Sequence, residues 1–176
     1  DVLIIPIKSY IRSLKVPLLA TQLTKNKTLD LPFISANMDT ITQSPMAIGM
    51  NQLGGFGIIH RFMSIRNQVE EVEKVSQSGA KIVGASIGVN EECKERAGAL
   101  VEAGANVLTI DIAHGHSVQM LETLAWLKKE FSQVDIIAGN VATPEGTLDL
   151  IEDGAEAVKV GIGPGSGRPS SSQSGP

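Results

Sequence analysis

Several features that define other classes of protein are scarce in this sequence. Its 176 residues include one cysteine, which excludes an intramolecular disulfide framework and favours a reducing, cytoplasmic compartment. No apolar run approaches the roughly 20 residues that a membrane-spanning helix needs. Lys and Arg number 15 against 19 Asp and Glu, so no excess of positive charge points to nucleic acid or to an anionic membrane. We therefore expect neither partner.

Two further figures bear on the core and on the ligand. Aromatic residues make up 3% of the chain although 42% of it is hydrophobic, so the core must consist mainly of Val, Ile, Leu and Ala. A chain of this length can bury such a core as one domain. Glycine, in contrast, occurs 18 times. Glycine-lined turns let backbone groups approach a ligand closely, which suits an anion such as phosphate.

Short apolar, largely β-branched runs recur about every 25 residues, with helical patterns between them. The six runs cover residues 33–38, 56–60, 81–88, 106–112, 134–138 and 155–161. Because they do not alternate apolar with polar residues, they predict parallel strands buried on both faces. The predicted class is α/β. Its strands form either a doubly wound open sheet or a TIM (β/α)8 barrel, of which about six βα units are present.

Polar residues and glycines predict where the helices begin and end. The predicted N-caps are Ser44, Asn90, Ser117 and Thr143. The glycines predicted to follow helix ends are Gly54, Gly79, Gly104 and Gly154. Residues 1–165 are interpreted as one partial barrel, in which segment 1–30 caps one end. Residues 166–176 lack apolar periodicity and predict a flexible tail or an interrupted active-site loop.

Ligands of parallel α/β folds bind where strands end and helices begin. All three histidines, His60, His114 and His116, fall at such points. The glycine-rich loop 161–166 suits phosphate or a monovalent cation, or it is only a tight turn. Asp111 either accepts a hydrogen bond from the ribose or nicotinamide of a cofactor, or it caps the next helix or pairs with a nearby basic side chain.

Other strand-end residues leave alternatives open. His60 and Arg61 could bind an anion or stack on a base, although a histidine at a strand end is as often structural. Asn37 and Asn140 could bind a substrate or serve as turn residues. His114 and His116 could ligate a metal, but no set of cysteines or carboxylates accompanies them.

A nucleophilic role for the single cysteine, Cys93, is disfavoured. A helix N-terminus can lower the pKa of a thiol, but three nearby glutamates oppose that effect.

Five strand-end motifs, in this order and spacing, resemble those of the IMP dehydrogenase / GMP reductase family. They are SANMDT at 35–40, GGFGIIH at 54–60, DIAHGHS at 111–117, AGNVAT at 138–143 and KVGIGPGS at 159–166. The resemblance implies a TIM barrel, a homotetramer, and a purine mononucleotide (IMP, XMP or GMP) bound beside a nicotinamide dinucleotide. The short connection at 76–80 implies a form without the regulatory insert.

The resemblance also implies the chemistry. In this family a cysteine attacks C2 of the purine. Dehydrogenases then pass a hydride to NAD and hydrolyse the adduct to XMP, whereas reductases use NADPH to convert GMP to IMP and ammonia. The positions that correspond to the family's substrate contacts are Ala36, Met38, Asn140 and Ser166. The positions that correspond to its cofactor contacts are Asp111, Ile112, Ala113 and Gly161. The backbone carbonyls that correspond to its K+ ligands are those of Gly163 and Gly165.

One departure concerns catalysis. Arg168 occupies the position of the family cysteine, no threonine follows it, and the last two barrel strands and the flap are absent. We therefore expect no activity from this chain alone. A dehydrogenase is favoured for the complete enzyme. A GMP reductase, which would use NADP, and an inactive part-barrel module for binding or assembly remain the alternatives.

Overall fold

The computed structural model describes residues 18–162, together with Lys8 and Tyr10. The strands are β1 (Thr21–Gln22), β2 (Thr28–Leu29), β3 (Ile34–Ser35), β4 (Phe56–Ile59), β5 (Gly84–Ile87), β6 (Val107–Asp111), β7 (Asp135–Val141) and β8 (Ala157–Val160). The helices are α1 (Ser44–Gln52), α2 (Ile65–Gln77), α3 (Cys93–Glu102), α4 (Val118–Glu130) and α5 (Pro144–Glu152). No helix in this part of the chain is both long and apolar enough to cross a membrane.

The six-stranded sheet has the order β3-β4-β5-β6-β7-β8, and every neighbouring pair is parallel. A doubly wound sheet would need the strand order to reverse, so this order excludes it. The sheet is also strongly curled, because the Lys159 ammonium on its last strand lies 2.8 Å from Oδ1 of Asn37, just beyond its first strand. The predicted partial TIM barrel is therefore confirmed as a half-barrel with six strands.

Two apolar layers cover the two faces of the curled sheet. One lies between strands and helices, where Ile59, Leu108 and Leu124 are fully buried. The other lines the concave interior and includes Phe56 and Val107. Alternation along a strand therefore sends successive side chains to different layers, both of them apolar. This arrangement explains the continuous apolar runs of the sequence.

The predicted helix starts are right in two cases and wrong in two. The hydroxyls of Ser117 and Thr143 accept N–H bonds from Met120 and Gly146, as N-caps do. At the predicted cap Ser44 the helix has already begun, and its N–H donates to a carboxylate on α2. At Asn90 an extra turn precedes α3.

One cap was missed by sequence reasoning. Ser64 caps α2, since its hydroxyl accepts from the N–H of Asn67. The four glycines predicted after helix ends, Gly54, Gly79, Gly104 and Gly154, all have positive φ. The positive φ confirms the predicted helix ends, because glycine adopts this backbone region without strain.

A short segment closes the amino end of the half-barrel. Strands β1 and β2 pair antiparallel, and the turn between them reaches the start of β7. There the Asp135 carboxylate accepts hydrogen bonds from the Thr24 hydroxyl, from the Asn26 amide at 2.8 Å and from Lys27 at 3.2 Å. The predicted cap is confirmed for the described part of segment 1–30.

Candidate active site at the carboxyl ends of the strands

Loops that follow β6 and β7 are joined by backbone hydrogen bonds. The N–H of Gly115 donates to the Asn140 carbonyl at 2.8 Å, and the N–H of Asn140 donates to the Ile112 carbonyl at the same distance. A Cβ at position 115 would lie 2.6 Å from that Asn140 oxygen, so only glycine allows this approach. The two loops thus form one rigid surface.

The start of the glycine-rich loop is attached to this surface. The Asn140 side chain donates from Nδ2 to the Gly161 carbonyl at 2.8 Å. Since a carbonyl only accepts, the Asn140 amide oxygen must point away and remains an acceptor. Gly161 has a φ of +112°, and no heavy atom of the described residues, its chain neighbours aside, lies within 4 Å of the position that a Cβ would take. A ligand can therefore approach the backbone here.

A lysine that sequence reasoning missed lies at the centre of this mouth. Lys159 on β8 donates to Oδ1 of Asp111 at 2.7 Å and to Oδ1 of Asn37 at 2.8 Å. Its ammonium thereby connects the first, fourth and last strands of the sheet. The signal in the sequence was a lysine inside an otherwise apolar strand, immediately before the glycine-rich loop.

The other predicted contacts follow the same edge. Asp111, Asn140 and Gly161 belong to the network just described, and Ile112 joins it through its backbone. Ala36, Met38 and Ala113 are exposed on loops at the strand ends. Gly163, Gly165, Ser166 and Arg168 lie outside the described residues.

His60 and Arg61 differ in what they can offer to a ligand. The His60 side chain is buried, and its Nδ1 accepts the N–H of Phe62 at 3.1 Å. Burial lowers the pKa of His60, and the negative charges of Asp39 and Glu71 offset this only in part, so the ring is neutral at pH 7. Arg61 carries a guanidinium cation and donates from Nε to the Asp111 carbonyl at 3.3 Å. Of this pair, Arg61 is therefore the candidate for an anion.

Neither histidines nor cysteine form a reactive centre among the described residues. No group of three His, Cys, Asp or Glu side chains there could hold a metal ion. His116 instead contacts Asp149 on α5, with Nε2 2.7 Å from Oδ2. Burial raises the pKa of Cys93, and this outweighs the Lys94 charge and a hydrogen bond to Thr123. Cys93 is therefore a protonated thiol at neutral pH, in agreement with the expectation that it is not a nucleophile.

Comparison with known proteins adds an independent finding. A family model described as "IMP dehydrogenase / GMP reductase domain" matches residues 1–168. The inosine-5'-monophosphate dehydrogenase of Cryptosporidium parvum is 41% identical over 94% of this chain and 51% of its own length. The enzyme of the same name from Borreliella burgdorferi is 37% identical over 94% of this chain and 53% of its own length. The one from Nitrosopumilus maritimus is 29% identical over 94% of this chain and 61% of its own length. The chain spans about half the length of the first two of these curated relatives.

Proposed function

The chain belongs to the IMP dehydrogenase / GMP reductase family, and from this membership we propose that it carries the nucleotide-binding half of an NAD-dependent oxidoreductase that converts IMP to XMP. The observation that supports this most strongly is structural. Asp111, Asn140 and Gly161, which correspond to family contacts, lie on one hydrogen-bonded surface at the carboxyl ends of the strands. In barrels of this class that end holds the active site.

The chemistry of this surface fits a nicotinamide dinucleotide. Among the described residues, Oδ2 of Asp111 has no hydrogen-bond partner and can accept a ribose hydroxyl. Ile112 and Ala113 extend the same edge, and none of the described residues beyond its chain neighbours fills the space beside Gly161. NAD, when bound, accepts the hydride that leaves C2 of the purine.

The substrate would lie beside it. The free amide oxygen of Asn140 can accept a hydrogen bond from the purine, and the exposed Ala36 and Met38 can pack against it. We propose that Ser166 binds the phosphate. The Arg61 guanidinium, which contacts the Asp111 carbonyl, adds positive potential at this mouth.

We propose that the 176-residue chain binds these ligands without turning them over. Arg168 stands where the family has its cysteine, and a guanidinium is permanently protonated and not a nucleophile. The buried Cys93 cannot replace it. K+ binding by the carbonyls of Gly163 and Gly165, a homotetramer, a cytoplasmic location and the division at residue 165 also remain proposals.

The test is an assay of the complete gene product with IMP and NAD, and in parallel with GMP and NADPH. We expect XMP and NADH to appear in equal amounts in the first assay. GMP-dependent NADPH oxidation without IMP oxidation would contradict this and support a GMP reductase. Turnover of neither substrate would support a part-barrel binding or assembly module.

A variant identifies the cofactor contact within the same assay. Asp111→Asn should raise KM for NAD about tenfold and leave KM for IMP unchanged, because only the cofactor loses its acceptor. The matched control is Asp153→Asn, at an exposed aspartate that directly follows the last residue of α5. An equal rise in both KM values would contradict the assignment of Asp111 to the cofactor.

A further inference from the structure

Three residues on adjacent strands stand in register at the mouth of the half-barrel. Asp111 on β6 pairs with Gly139 on β7, and Gly139 pairs with Lys159 on β8. Residues in register across neighbouring strands point to the same face of a sheet. Asp111 and Lys159 therefore flank a glycine on that face.

The glycine is what allows the two charged side chains to meet. A Cβ at position 139 would lie 2.4 Å from Cβ and 2.7 Å from the carbonyl oxygen of Lys159. With only hydrogen at Gly139, the lysine side chain crosses β7 and its ammonium reaches Asp111. Glycine in the interior of a strand weakens that strand, and it often marks a close approach by another group. Here that group is the Lys159 side chain, which passes over Gly139.

The contacts of Lys159 fix the polarity of two neighbouring groups. An ammonium only donates, so the atom that Asn37 turns toward it must be the amide oxygen, and the N–H groups of that amide face elsewhere. Likewise one oxygen of Asp111 is occupied and the other remains an acceptor. The mouth therefore offers a donor at Asn37 and an acceptor at Asp111.

We propose that Lys159 is a positioning residue that holds Asp111 as an acceptor for a ribose hydroxyl and Asn37 as a donor. This inference rests on the proposed function, because it takes the ligand to be a nicotinamide dinucleotide. Lys159 acts through Asp111 and Asn37 and need not touch the ligand itself. Without it, the Asp111 carboxylate and the Asn37 amide can both rotate, and a bound ribose would have to order them.

The experiment compares three substitutions in the 176-residue chain. Lys159→Met removes the donor at similar length, Lys159→Arg keeps a cation that can donate to both partners, and Lys129→Met removes an equivalent charge at an exposed position of α4. Unfolding midpoints are compared first, so that only folded variants are used. Two readouts follow: the side-chain amide resonances of Asn37, assigned through Asn37→Asp, and the Kd for NAD.

The expected results separate positioning from a general effect of charge. Lys159→Met should shift the Asn37 amide resonances and weaken NAD binding about tenfold, whereas Lys159→Arg should bind within about threefold of the unsubstituted chain. Lys129→Met should change neither readout. Unshifted Asn37 resonances in Lys159→Met, an unchanged Kd, or equal losses in Lys159→Arg and Lys159→Met would each overturn the proposal.

The two readouts also keep this proposal distinct from the proposed function. If the unsubstituted chain does not bind NAD, the cofactor assignment fails for this chain. The Asn37 amide resonances then decide by themselves whether Lys159 orients its neighbours, since they are measured without ligand.

Discussion

The two ends of the half-barrel each hold a lysine–aspartate pair. The two pairs differ in how many of the carboxylate oxygens accept hydrogen bonds from the protein. At the amino end Lys27 lies 3.2 Å from Asp135, with side chains 18% and 5% exposed. At the carboxyl end Lys159 lies 2.7 Å from Asp111, with side chains 35% and 20% exposed. Both oxygens of Asp135 accept hydrogen bonds from protein groups. One oxygen of Asp111 does not among the described residues.

This difference distinguishes a network whose acceptors are all satisfied from one that keeps an acceptor for a ligand. A buried carboxylate whose acceptors are all satisfied holds its neighbours in place and has nothing left for a ligand. A partly exposed carboxylate with one free oxygen adds little to stability and can bind. The same division between a stabilising amino end and a functional carboxyl end is general for barrels of this class.

The largest expected effect is at the amino end. Asp135→Asn should lower the free energy of unfolding by about 3 kcal/mol, because the Lys27 charge loses its partner in a buried setting and an added N–H faces other donors. Denaturant unfolding measures it. Asp153→Asn at an exposed position is the control and should change stability by less than about 0.5 kcal/mol. Equal effects of the two substitutions would show that the amino-end network does not stabilise the fold.

The next effect concerns the glycine between the two charged residues of the mouth. Gly139→Ala should lower the free energy of unfolding by about 2 kcal/mol, because its Cβ would overlap Lys159 and the backbone of β8 must shift. Gly98→Ala, in the interior of α3 with open space around the new Cβ, should raise it by about 0.5 kcal/mol instead. Chemical denaturation of both variants checks the sign, and a stabilising Gly139→Ala would be inconsistent with the passage of Lys159 across β7.

A third prediction uses pH. Burial raises the pKa of Asp135, but hydrogen bonds from Thr24, Asn26 and Lys27 outweigh it and hold the pKa below its ordinary value of 3.8. The stability from this network is therefore fully present above about pH 4 and is lost as pH falls through the lowered pKa of the folded state.

The measurement is the difference in unfolding free energy between the unsubstituted chain and Asp135→Asn, followed from pH 6 to about pH 2. This free-energy difference should be constant near pH 6 and shrink below about pH 4. Glu71, whose pKa is also lowered, is present in both proteins, so its contribution cancels. A difference that grows on acidification would mean that the sign is wrong.

The smallest expected effect is at the carboxyl end. Lys159→Met should change the free energy of unfolding by less than about 1 kcal/mol, because an ion pair of this exposure is screened by water. Thermal and denaturant unfolding of Lys159→Met beside Asp135→Asn test the contrast directly. A loss as large as that of Asp135→Asn would remove the distinction between the two ends.

Much of the fold could be predicted from the sequence because its signals are local. The repeat of apolar runs gave the six parallel strands, and glycines such as Gly54 and Gly154 marked helix ends through their positive φ. The prediction that Ser44 is an N-cap was wrong, although the local sequence resembles a cap. Its N–H donates instead to the carboxylate of Glu71 on α2. Local pattern cannot detect such a partner from a distant helix.

The site was less predictable for the same reason. Asp111 and Asn140 stand in recognisable strand-end motifs, so they could be named as candidates. Lys159 also begins a strand-end motif, but its role could not be predicted, because that role depends on the register of three strands and on a glycine in the middle one. That register is a property of the assembled sheet, and nothing adjacent to Lys159 in the chain encodes it.

A rival location exists at the amino end, which makes the central claim testable. A cavity of about 420 Å³ lies there, lined by Lys27, Asp30, Asn51 and Lys81 among others. Its polar lining could also attract a nucleotide. We propose instead that the ligand binds at the opposite end, where Oδ2 of Asp111 has no partner among the described residues.

The most direct measurement is a map of backbone amide chemical shifts during titration of the 176-residue chain with NAD. We predict that the largest shift changes occur at residues 111–115, 140 and 161, and that the resonances of residues 24–27 and 135 do not move. Largest changes around the amino-end cavity, or none at the carboxyl ends of the strands, would contradict it.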